Sequence, residues 1–283
     1  MPQRDTGLSL DGRAGAIYLR GMTNKRPRLL AFETIRNFRD FGGYDSQFGG
    51  RVRMGRLYRS GHHAEASEDE LAKMDALGIH VQADLRRPDE RDKQKSRFNP
   101  PVVITHDGGR ESEAPHMRFL TQVTVDAEAA DEWMAEYYEK APFKAHHQAL
   151  FRDWFVKLAE APGEAAGLVN CAAGKDRTGI LCALTHHILG VSETDMRADY
   201  DLTNEAVGVN QRLPEAAAYF NQMIGKDLPA EVYRPFMGVH LKYLDRAFGA
   251  INAKAGSLDG YLVDVLNVDA ALQADLRAKL IEA

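Results

Sequence analysis

The chain has 283 residues, of which 44% are apolar and 27% are charged, and its formal net charge is -5 at pH 7. This length and composition suffice to bury one sizeable core, so we expect a single main domain with elaborations. The mild acidic excess leaves no wide basic surface, which excludes nucleic acid as an expected partner and requires any anion-binding site to be local. Two cysteines cannot form a disulfide framework, and this favours a reducing compartment.

The amino-terminal segment differs in character from the rest of the chain. Residues 1–10 lack the apolar stretch of a secretory signal, and no apolar run approaches the roughly 20 residues of a membrane span. We therefore expect a cytoplasmic protein with no integral membrane segment, although export without a cleaved signal would leave no trace. Residues 1–30, with the apolar patch Ala16-Ile17-Tyr18-Leu19, are predicted to form an arm or an appended strand. Nothing in the sequence indicates the oligomeric state.

Residues 31–283 are predicted to form the main domain, whose first half alternates between strand and helix. Residues 52–60, 79–85 and 102–105 are predicted strands because they are rich in branched and apolar side chains. Strands separated by helices predict an α/β fold with a mainly parallel central sheet flanked by helices. Ligands of such sheets gather at the carboxyl ends of the strands, and this rule puts Asp84 and Arg86 at that edge.

The helices of this region carry clear signals. Ser67 and Glu70 form a predicted capping box, and the helix that follows is expected to end at Gly78. Apolar residues at helical spacing predict two amphipathic helices between residues 126 and 160. Both stripes are expected to pack on the core. The alternative is that the first helix belongs to a lid-like insertion, at about residues 120–160, that covers a site.

A short apolar strand at residues 167–170 precedes a helix at residues 178–189, which Gly190 closes. From Ser192 onward the pattern is nearly all helical and is expected to be scaffold. The predicted breaks in this helical part are at Pro214, Pro229 and Gly256-Ser257.

The loop between this strand and this helix carries the strongest functional signal. We name it the phosphate loop, and it runs Cys171-Ala172-Ala173-Gly174-Lys175-Asp176-Arg177. A loop that leads into a helix N-terminus gathers backbone N–H groups around one point and so forms a nest for a phosphate dianion. Small residues let the backbone curl close to the anion, and the planar fork of Arg177 can grip two phosphate oxygens. Lys175 adds a second cation at the rim.

The same positive field stabilises a thiolate, which makes Cys171 the predicted nucleophile. The Thr178 hydroxyl can donate to the sulfur and help the thiolate leave when a phosphocysteine intermediate is hydrolysed. Asp176 and Asp84 are both candidates for the general acid, and each has an alternative role as an ion-pair partner. Asp176 is the first choice because its position in the loop guarantees that it lies near the phosphate.

No cofactor or metal is expected for this chemistry. Three pairs of adjacent histidines occur, but neighbouring residues on a helix or strand diverge in direction, and no cysteine or carboxylate completes a ligand set. Cys182 is expected to be a packed core residue and not a redox partner of Cys171. Arg39 and Asp40 can form a structural ion pair or reach the phosphate pocket. The three histidine pairs are His62-His63, His146-His147 and His186-His187.

At these residues the sequence resembles the cysteine-dependent protein tyrosine phosphatases, and more closely a bacterial branch that includes a secreted mycobacterial tyrosine phosphatase with activity toward phosphoinositides. The resemblance implies a protein tyrosine phosphatase-like fold, a phosphate-binding site at residues 172–177, and phosphotyrosine proteins as the first choice of substrate. Phosphoinositides are the second choice, because Lys175 beside Arg177 adds charge suited to a polyphosphorylated head group. Beyond the loop, the resemblance covers Asn37-Phe38-Arg39-Asp40-Phe41-Gly42-Gly43-Tyr44, Leu57-Tyr58-Arg59-Ser60, Asp84-Leu85-Arg86 and Leu202-Thr203-Asn204-Glu205.

Two departures from the family pattern affect the expected chemistry. Asn170 stands where the family usually has histidine before the nucleophile; asparagine can hydrogen-bond the loop but gives the thiolate no cationic help. This leaves open a catalytically silent phosphate-binding module as an alternative to an enzyme. The sequence also lacks the Trp-Pro-Asp motif that supplies a mobile general acid in the larger tyrosine phosphatases, so the acid must come from elsewhere.

Overall fold

The structure is a computed structural model that describes residues 28–110, 115–121 and 125–283. The apolar patch predicted at residues 16–19 lies outside these ranges. Within them, no helix combines the length and apolar character needed to cross a membrane.

The strands form a central sheet and a small ribbon. In the central sheet the order is β1-β3-β6-β4-β5, with β1 antiparallel to β3 and the other neighbours parallel. The mainly parallel sheet predicted from the sequence is therefore confirmed. The ribbon pairs β2 with β7. In chain order the strands are β1 (Arg39–Asp40), β2 (Arg51–Val52), β3 (Leu57–Ser60), β4 (Ile79–Asp84), β5 (Val102–Ile104), β6 (Ala166–Asn170) and β7 (Ile281–Glu282).

Helices flank the sheet and form most of the carboxyl-terminal part. Short 3-10 segments lie at Ala141–Phe143 and Ala230–Tyr233, and a π-helical turn lies at Tyr261–Val265. In chain order the α-helices are α1 (Glu68–Ala76), α2 (Pro88–Lys93), α3 (Pro115–Leu120), α4 (Ala127–Lys140), α5 (Ala145–Glu160), α6 (Asp176–Ile188), α7 (Glu193–Asp201), α8 (Thr203–Ala206), α9 (Val209–Ile224), α10 (Arg234–Met237), α11 (Leu241–Ala255), α12 (Leu258–Gly260) and α13 (Ala270–Leu280).

The helix signals read from the sequence hold at most positions. The side chain of Ser67 accepts a hydrogen bond from the Glu70 N–H, and the Glu70 carboxylate accepts from the Ser67 N–H, so the predicted capping box caps α1. The chain leaves this helix through Gly78, which has a φ of 66°. The two amphipathic helices predicted between residues 126 and 160 are α4 and α5.

The break predicted at Pro214 is wrong, because Pro214 lies inside α9. A proline inside a helix removes one N–H donor and so leaves a carbonyl one turn earlier without its helical partner. Pro214 is exposed, where water can solvate such a carbonyl. The buried Leu213 and Ala217 pack with Tyr233 and stabilise the helix across the proline.

The central strand β6 contacts a different apolar cluster on each face. Leu168 packs with Met74 of α1 on one face, whereas Val169 belongs to the main core with Trp154 of α5. This alternation is the period-two pattern of a strand that is buried on both sides. The stripes of α4 and α5 pack largely on the main core, as expected, and the lid role of the first helix stays a prediction.

Three strands end side by side at the carboxyl edge of the sheet. Asn170, the last residue of β6, pairs in register with Ser60 of β3 and with Asp84 of β4. The chain continues from Asn170 into the phosphate loop, so this loop begins at the middle of the edge. Asp84 therefore has the position next to the loop that the α/β pattern predicts for it.

Two glycine substitutions test the packing against β6. A methyl group at Gly167 would lie 2.5 Å from the Trp154 ring, whereas at Gly249 in α11 nothing lies within 4 Å. We expect Gly167→Ala to destabilise the fold by about 1–3 kcal/mol through overpacking. Gly249→Ala should stabilise it by about 0.5–1 kcal/mol, because alanine has the better helix propensity. Urea unfolding measures both free energies of unfolding, and a Gly167→Ala protein at least as stable as wild type would contradict this account of β6.

Candidate active site

The phosphate loop links β6 to α6 and has Cys171 at its base. The side chain of Cys171 is buried and free of any disulfide. In the part of the chain that the structure describes, no hydrogen bond has the backbone N–H of Ala172, Ala173 or Gly174 as its donor. Unpaired N–H groups at a helix N-terminus are the donors that an anion requires. The loop therefore has the composition and the free donors of a phosphate nest.

Gly174 brings this loop against the end of β3. Its φ is 69°, and a methyl group at this position would lie 2.4 Å from the Ser60 carbonyl. No residue with a side chain fits that approach without moving the backbone of β3. The Gly174 carbonyl accepts hydrogen bonds from Asn37 Nδ2 at 2.7 Å and Arg59 Nη2 at 3.1 Å, which hold the loop in this shape.

The guanidinium of Arg177 is oriented by Glu90, a residue of α2. Its Nη1 donates to Glu90 Oε2 at 2.6 Å and to the Leu85 carbonyl at 2.9 Å, and its Nη2 donates to Glu90 Oε1 at 2.9 Å. A guanidinium has five N–H donors, so these three bonds leave Nε–H and one Nη2–H on the same edge. That edge has the geometry for bidentate contact with two phosphate oxygens.

The charge of Glu90 is stabilised by its position. Burial on its own would raise the pKa of Glu90, but the adjacent Arg177 and Arg87 lower it to about 2. Glu90 therefore stays ionised at neutral pH and provides a fixed anion that holds the Nη1–Nη2 edge of Arg177, next to its free Nε–Nη2 edge.

A buried ionic cluster lies beneath the loop. Asp199 of α7 pairs with Arg39 at 3.2 Å and with Arg59 at 2.7 Å, and all three side chains are almost fully buried. Arg39 also donates to Asn37, so both residues that bond the Gly174 carbonyl are held by this cluster. The ion-pair partner of Arg39 is thus Asp199. The carboxylate of Asp40 instead accepts from the N–H groups of Gly42 and Gly55.

Asp176 is the first residue of α6 and is partly exposed. Its Oδ1 accepts from the hydroxyl of Tyr138 at 2.9 Å and from Lys175 Nζ at 3.1 Å, and Tyr200 donates in turn to the Tyr138 hydroxyl at 2.8 Å. No hydrogen bond among the described residues involves Asp176 Oδ2. The contacts with Tyr138 and Lys175 therefore fix one oxygen of this carboxyl and leave the other without a bond to the described residues.

Lys175 is buried, and hydrogen bonds within the protein hold its ammonium. Besides Asp176, Nζ donates to the carbonyls of Pro235 at 3.3 Å and Gly238 at 3.0 Å. An ammonium has three donors, and all three are used. The role of Lys175 as a phosphate ligand stays a prediction, and this geometry ties the loop to the segment around α10.

Asp84 is engaged on both oxygens. Arg86 donates to Oδ1 at 2.8 Å through Nε and to Oδ2 at 2.6 Å through Nη2, and Asn170 Nδ2 donates to Oδ1 at 3.1 Å. The other end of the Asn170 side chain accepts from Gln82 at 2.8 Å. Asn170 thus bonds β4 and not the phosphate loop, in contrast to the expectation from sequence.

The remaining residues singled out in the sequence lie near or behind the loop. The hydroxyl of Thr178 is buried, and its oxygen has no hydrogen-bond partner among the described residues, so its role toward the Cys171 sulfur stays a prediction. Cys182 lies in the core, as predicted, where burial raises the pKa of its thiol to about 12. Of the paired histidines, His147 bonds the Ala141 carbonyl and His186 the Phe41 carbonyl. No group of three or more metal-ligating side chains occurs in the described ranges.

A cavity of about 380 Å³ reaches the loop at Ala173. Aromatic side chains form much of its wall, with the His116 ring 6.3 Å from Phe220 and 5.8 Å from Phe236. Burial and the nearby Lys175 and Arg87 lower the pKa of His116 to about 4, so this ring is neutral at pH 7. A second cavity of about 660 Å³ lies beyond Pro235, but none of the described residues in its wall belongs to the loop.

The sequence matches the model of the tyrosine phosphatase family over residues 30–282. The chain belongs to this family. It is 36% identical over 254 residues, covering 86% of this chain and 85% of the relative, to a Cupriavidus necator protein whose name assigns it provisionally to the tyrosine-protein phosphatases. It is also 28% identical over 263 residues, covering 81% and 90%, to the triple specificity protein phosphatase PtpB of Mycobacterium tuberculosis. The predicted enzyme class, protein tyrosine phosphatase, is confirmed.

The residues that orient this phosphatase's loop largely escape sequence reasoning. Glu90 lies in a run of charged residues after the predicted strand at residues 79–85, and the sequence gives it no role. Asn37 and Arg59 lie in segments that resemble the family, but the resemblance gives them no role. Asp199 lies in the part expected to be scaffold, and no local pattern marks it.

The substitution Glu90→Gln tests whether an ionised Glu90 holds Arg177 in place. The test is the pH dependence of the free energy of unfolding. A carboxyl whose folded pKa is lowered from 4.5 to about 2 stabilises the fold above pH 4.5 by about 3 kcal/mol, and this contribution is lost as the pH falls through about 2. We expect the variant to be less stable than wild type at pH 7, and the difference to shrink by roughly 2 kcal/mol at pH 3. Urea unfolding at pH 7 and pH 3 measures this difference in the free energy of unfolding.

Glu68→Gln is the matched control, because Glu68 pairs with Arg97 at the surface. This substitution should change the free energy of unfolding only slightly at both pH values. A difference between wild type and Glu90→Gln that does not change with pH would contradict the ionised pair.

Proposed function

We propose that this phosphatase hydrolyses phosphate monoesters through a phosphocysteine intermediate formed on Cys171. The observation that carries the proposal is the free edge of Arg177, whose guanidinium Glu90 holds at the adjacent edge, together with the unpaired N–H groups of Ala172, Ala173 and Gly174. These donors supply a preorganised site for the three equatorial oxygens of a transferring phosphoryl group. The free Cys171 at the base of this site favours a catalyst over the silent phosphate-binding module that Asn170 left open.

The proposed reaction has two steps. The Cys171 thiolate attacks phosphorus, an S–P bond forms, and the ester P–O bond breaks as the leaving oxygen takes a proton from the general acid. Water then attacks the phosphocysteine, the same carboxylate takes a proton from that water, and inorganic phosphate and the thiolate are released. In this proposal the Thr178 hydroxyl, which is buried and has no hydrogen-bond partner among the described residues, turns to donate to sulfur and so stabilises the departing thiolate.

Asp176 is the proposed general acid. Its Oδ1 is anchored by Tyr138 and Lys175, while Oδ2 is free of hydrogen bonds within the described ranges. Asp84, the other candidate, accepts from Arg86 on both oxygens and is buried. A carboxylate held in this way by a guanidinium is suited to a structural role at the edge of the sheet.

Phosphotyrosine in a protein is the proposed substrate. The aromatic wall of the cavity, with His116, Phe220 and Phe236, suits the flat ring of tyrosine. The charge of Lys175 would favour phosphoinositides, but its three donors are used within the protein. One relative is named a triple specificity protein phosphatase, so assays on phosphotyrosine peptide, phosphoserine peptide and phosphoinositide vesicles measured in parallel are the direct comparison.

Cys171→Ser should abolish turnover of an aryl phosphate and leave its affinity nearly unchanged. The N–H groups and Arg177 hold the anion, whereas only the thiolate forms the covalent intermediate. Steady-state kinetics measures the first effect, and calorimetric titration with inorganic phosphate measures the second. Turnover near the wild-type rate would refute the mechanism.

The leaving group distinguishes the two acid candidates. A nitrophenolate departs without much help, whereas a phenolic or alkyl oxygen needs the proton, so loss of the acid should slow the latter by roughly 10²–10⁴-fold. We expect Asp176→Asn to show this steeper dependence across phosphates of graded leaving-group pKa. Asp84→Asn is the control and should lower all rates in parallel. Parallel effects in both variants would rule out both as the acid.

A further inference from the structure

Two arginines from separate elements lie together on the wall of the cavity that reaches the phosphate loop. Arg36 precedes β1, Arg212 belongs to α9, and both line the cavity whose wall also includes Ala173. Over residues 28–110, 115–121 and 125–283, neither guanidinium forms a hydrogen bond or an ion pair with another side chain. Unlike Arg39, Arg59, Arg86 and Arg177, which all bond partners within the fold, these two present their donors to the cavity.

Arg36 is anchored beside the loop through its backbone. Its carbonyl accepts a hydrogen bond from the Gly61 N–H at 2.7 Å, and the next residue, Asn37, bonds the Gly174 carbonyl. A methyl group at Gly61 would lie 3.3 Å from both the Arg36 and the Ala172 carbonyl oxygens. The backbone of Arg36 is therefore fixed against the phosphate loop, and only its side chain is free to move.

The charges of the pair are close enough to affect each other. Burial and repulsion by Arg212 lower the pKa of Arg36, while Glu65 and Glu215 oppose that change. Two guanidiniums that repel each other gain from an anion placed between them. The nearby glutamates limit the net positive charge, so the pair suits a single carboxylate better than a highly charged polyphosphate.

Aromatic side chains line the same cavity as the arginine pair and suit an aromatic ring. Phe220 stacks on Tyr233 with ring centroids 5.5 Å apart, and Tyr219, on the same helix, is 59% exposed and lines the cavity. A phosphotyrosine with its phosphate on the loop would present its ring to these side chains. The flanking residues of its peptide would then cross the cavity in front of the two arginines.

We propose that Arg36 and Arg212 form a subsite for an acidic side chain that flanks phosphotyrosine in a protein substrate. The inference rests on the proposed function and adds a sequence preference to it. Each arginine contacts substrate away from the reacting atoms, so the pair discriminates among phosphotyrosine sites and takes no part in the phosphoryl transfer itself.

The test compares pairs of phosphotyrosine peptides that are identical except that glutamates on one side of the phosphotyrosine are replaced by glutamines. For each enzyme the ratio of kcat/KM for the glutamate peptide to that for the glutamine peptide is measured. Partly exposed ion pairs are individually weak, so we expect a wild-type ratio of roughly 3- to 10-fold for the preferred side, falling with added salt. In Arg36→Gln/Arg212→Gln the ratio should approach 1, with intermediate values in the single variants.

Arg152→Gln is the matched control, because Arg152 is an exposed arginine of α5 that lines neither cavity. It should retain the wild-type ratio. A wild-type ratio near 1 for both sides of the phosphotyrosine would overturn the subsite while leaving the phosphatase mechanism intact. A double variant that keeps the preference would overturn the subsite as well. Loss of activity on phosphoinositide vesicles in the double variant, without any peptide preference in wild type, would assign the pair to a lipid head group instead.

Binding to the Cys171→Ser variant separates the subsite from the proposed function. Dissociation constants of the two peptides are measured by calorimetry, with and without the two arginine substitutions. The glutamate peptide should bind roughly 3- to 10-fold more tightly only when both arginines are present. This preference would support the subsite even if wild type failed to hydrolyse the peptides, and equal affinities would overturn it.

Discussion

The buried carboxylate of Asp199 is the point on which the shape of the phosphate loop depends. Burial would raise the pKa of Asp199, but Arg39 and Arg59 hold it below its usual range, so a charged cluster persists inside the fold. Arg59 also donates to the Gly174 carbonyl, which connects this cluster to the loop. Buried ion pairs add little net stability, but removal of one partner costs about 3–5 kcal/mol. The cluster therefore specifies one arrangement of β1, β3, α7 and the loop.

Each charged side chain of the loop is held by a different part of the helical layer. Arg177 is held by Glu90 of α2, Asp176 by Tyr138 of α4, and Lys175 by carbonyls at the end of α10. These contacts connect the phosphate loop to α2, α4 and α10. The sheet sets where the loop begins, and the helices set where its side chains point.

The sequence predicts those features that depend on a local pattern. It does not predict contacts between residues that are far apart in the chain. The capping box at Ser67, the parallel sheet implied by the α/β pattern and the loop from Cys171 to Arg177 all depend on neighbouring residues, and each could be predicted. Asp199 meets Arg59 across 140 positions of the chain, and no periodicity records such a pair. The sequence places Lys175 at the rim because its charge can be seen in the sequence, whereas the carbonyls that bind its ammonium cannot. A helix break is predicted at Pro214 because helix propensity does not include the packing of Leu213, which stabilises the helix in the fold.

The contrast between Gly174 and Ala173 bears on how the substrate range of such an enzyme can diverge. The Ser60 backbone leaves no room for a side chain at position 174, so a substitution there would strain the loop. Position 173 is adjacent in the chain, yet Ala173 lines the cavity. A single substitution at position 173 would alter the volume offered to substrates while the loop kept its shape. The loop thus combines a position that faces the cavity with a neighbouring position whose size the fold restricts.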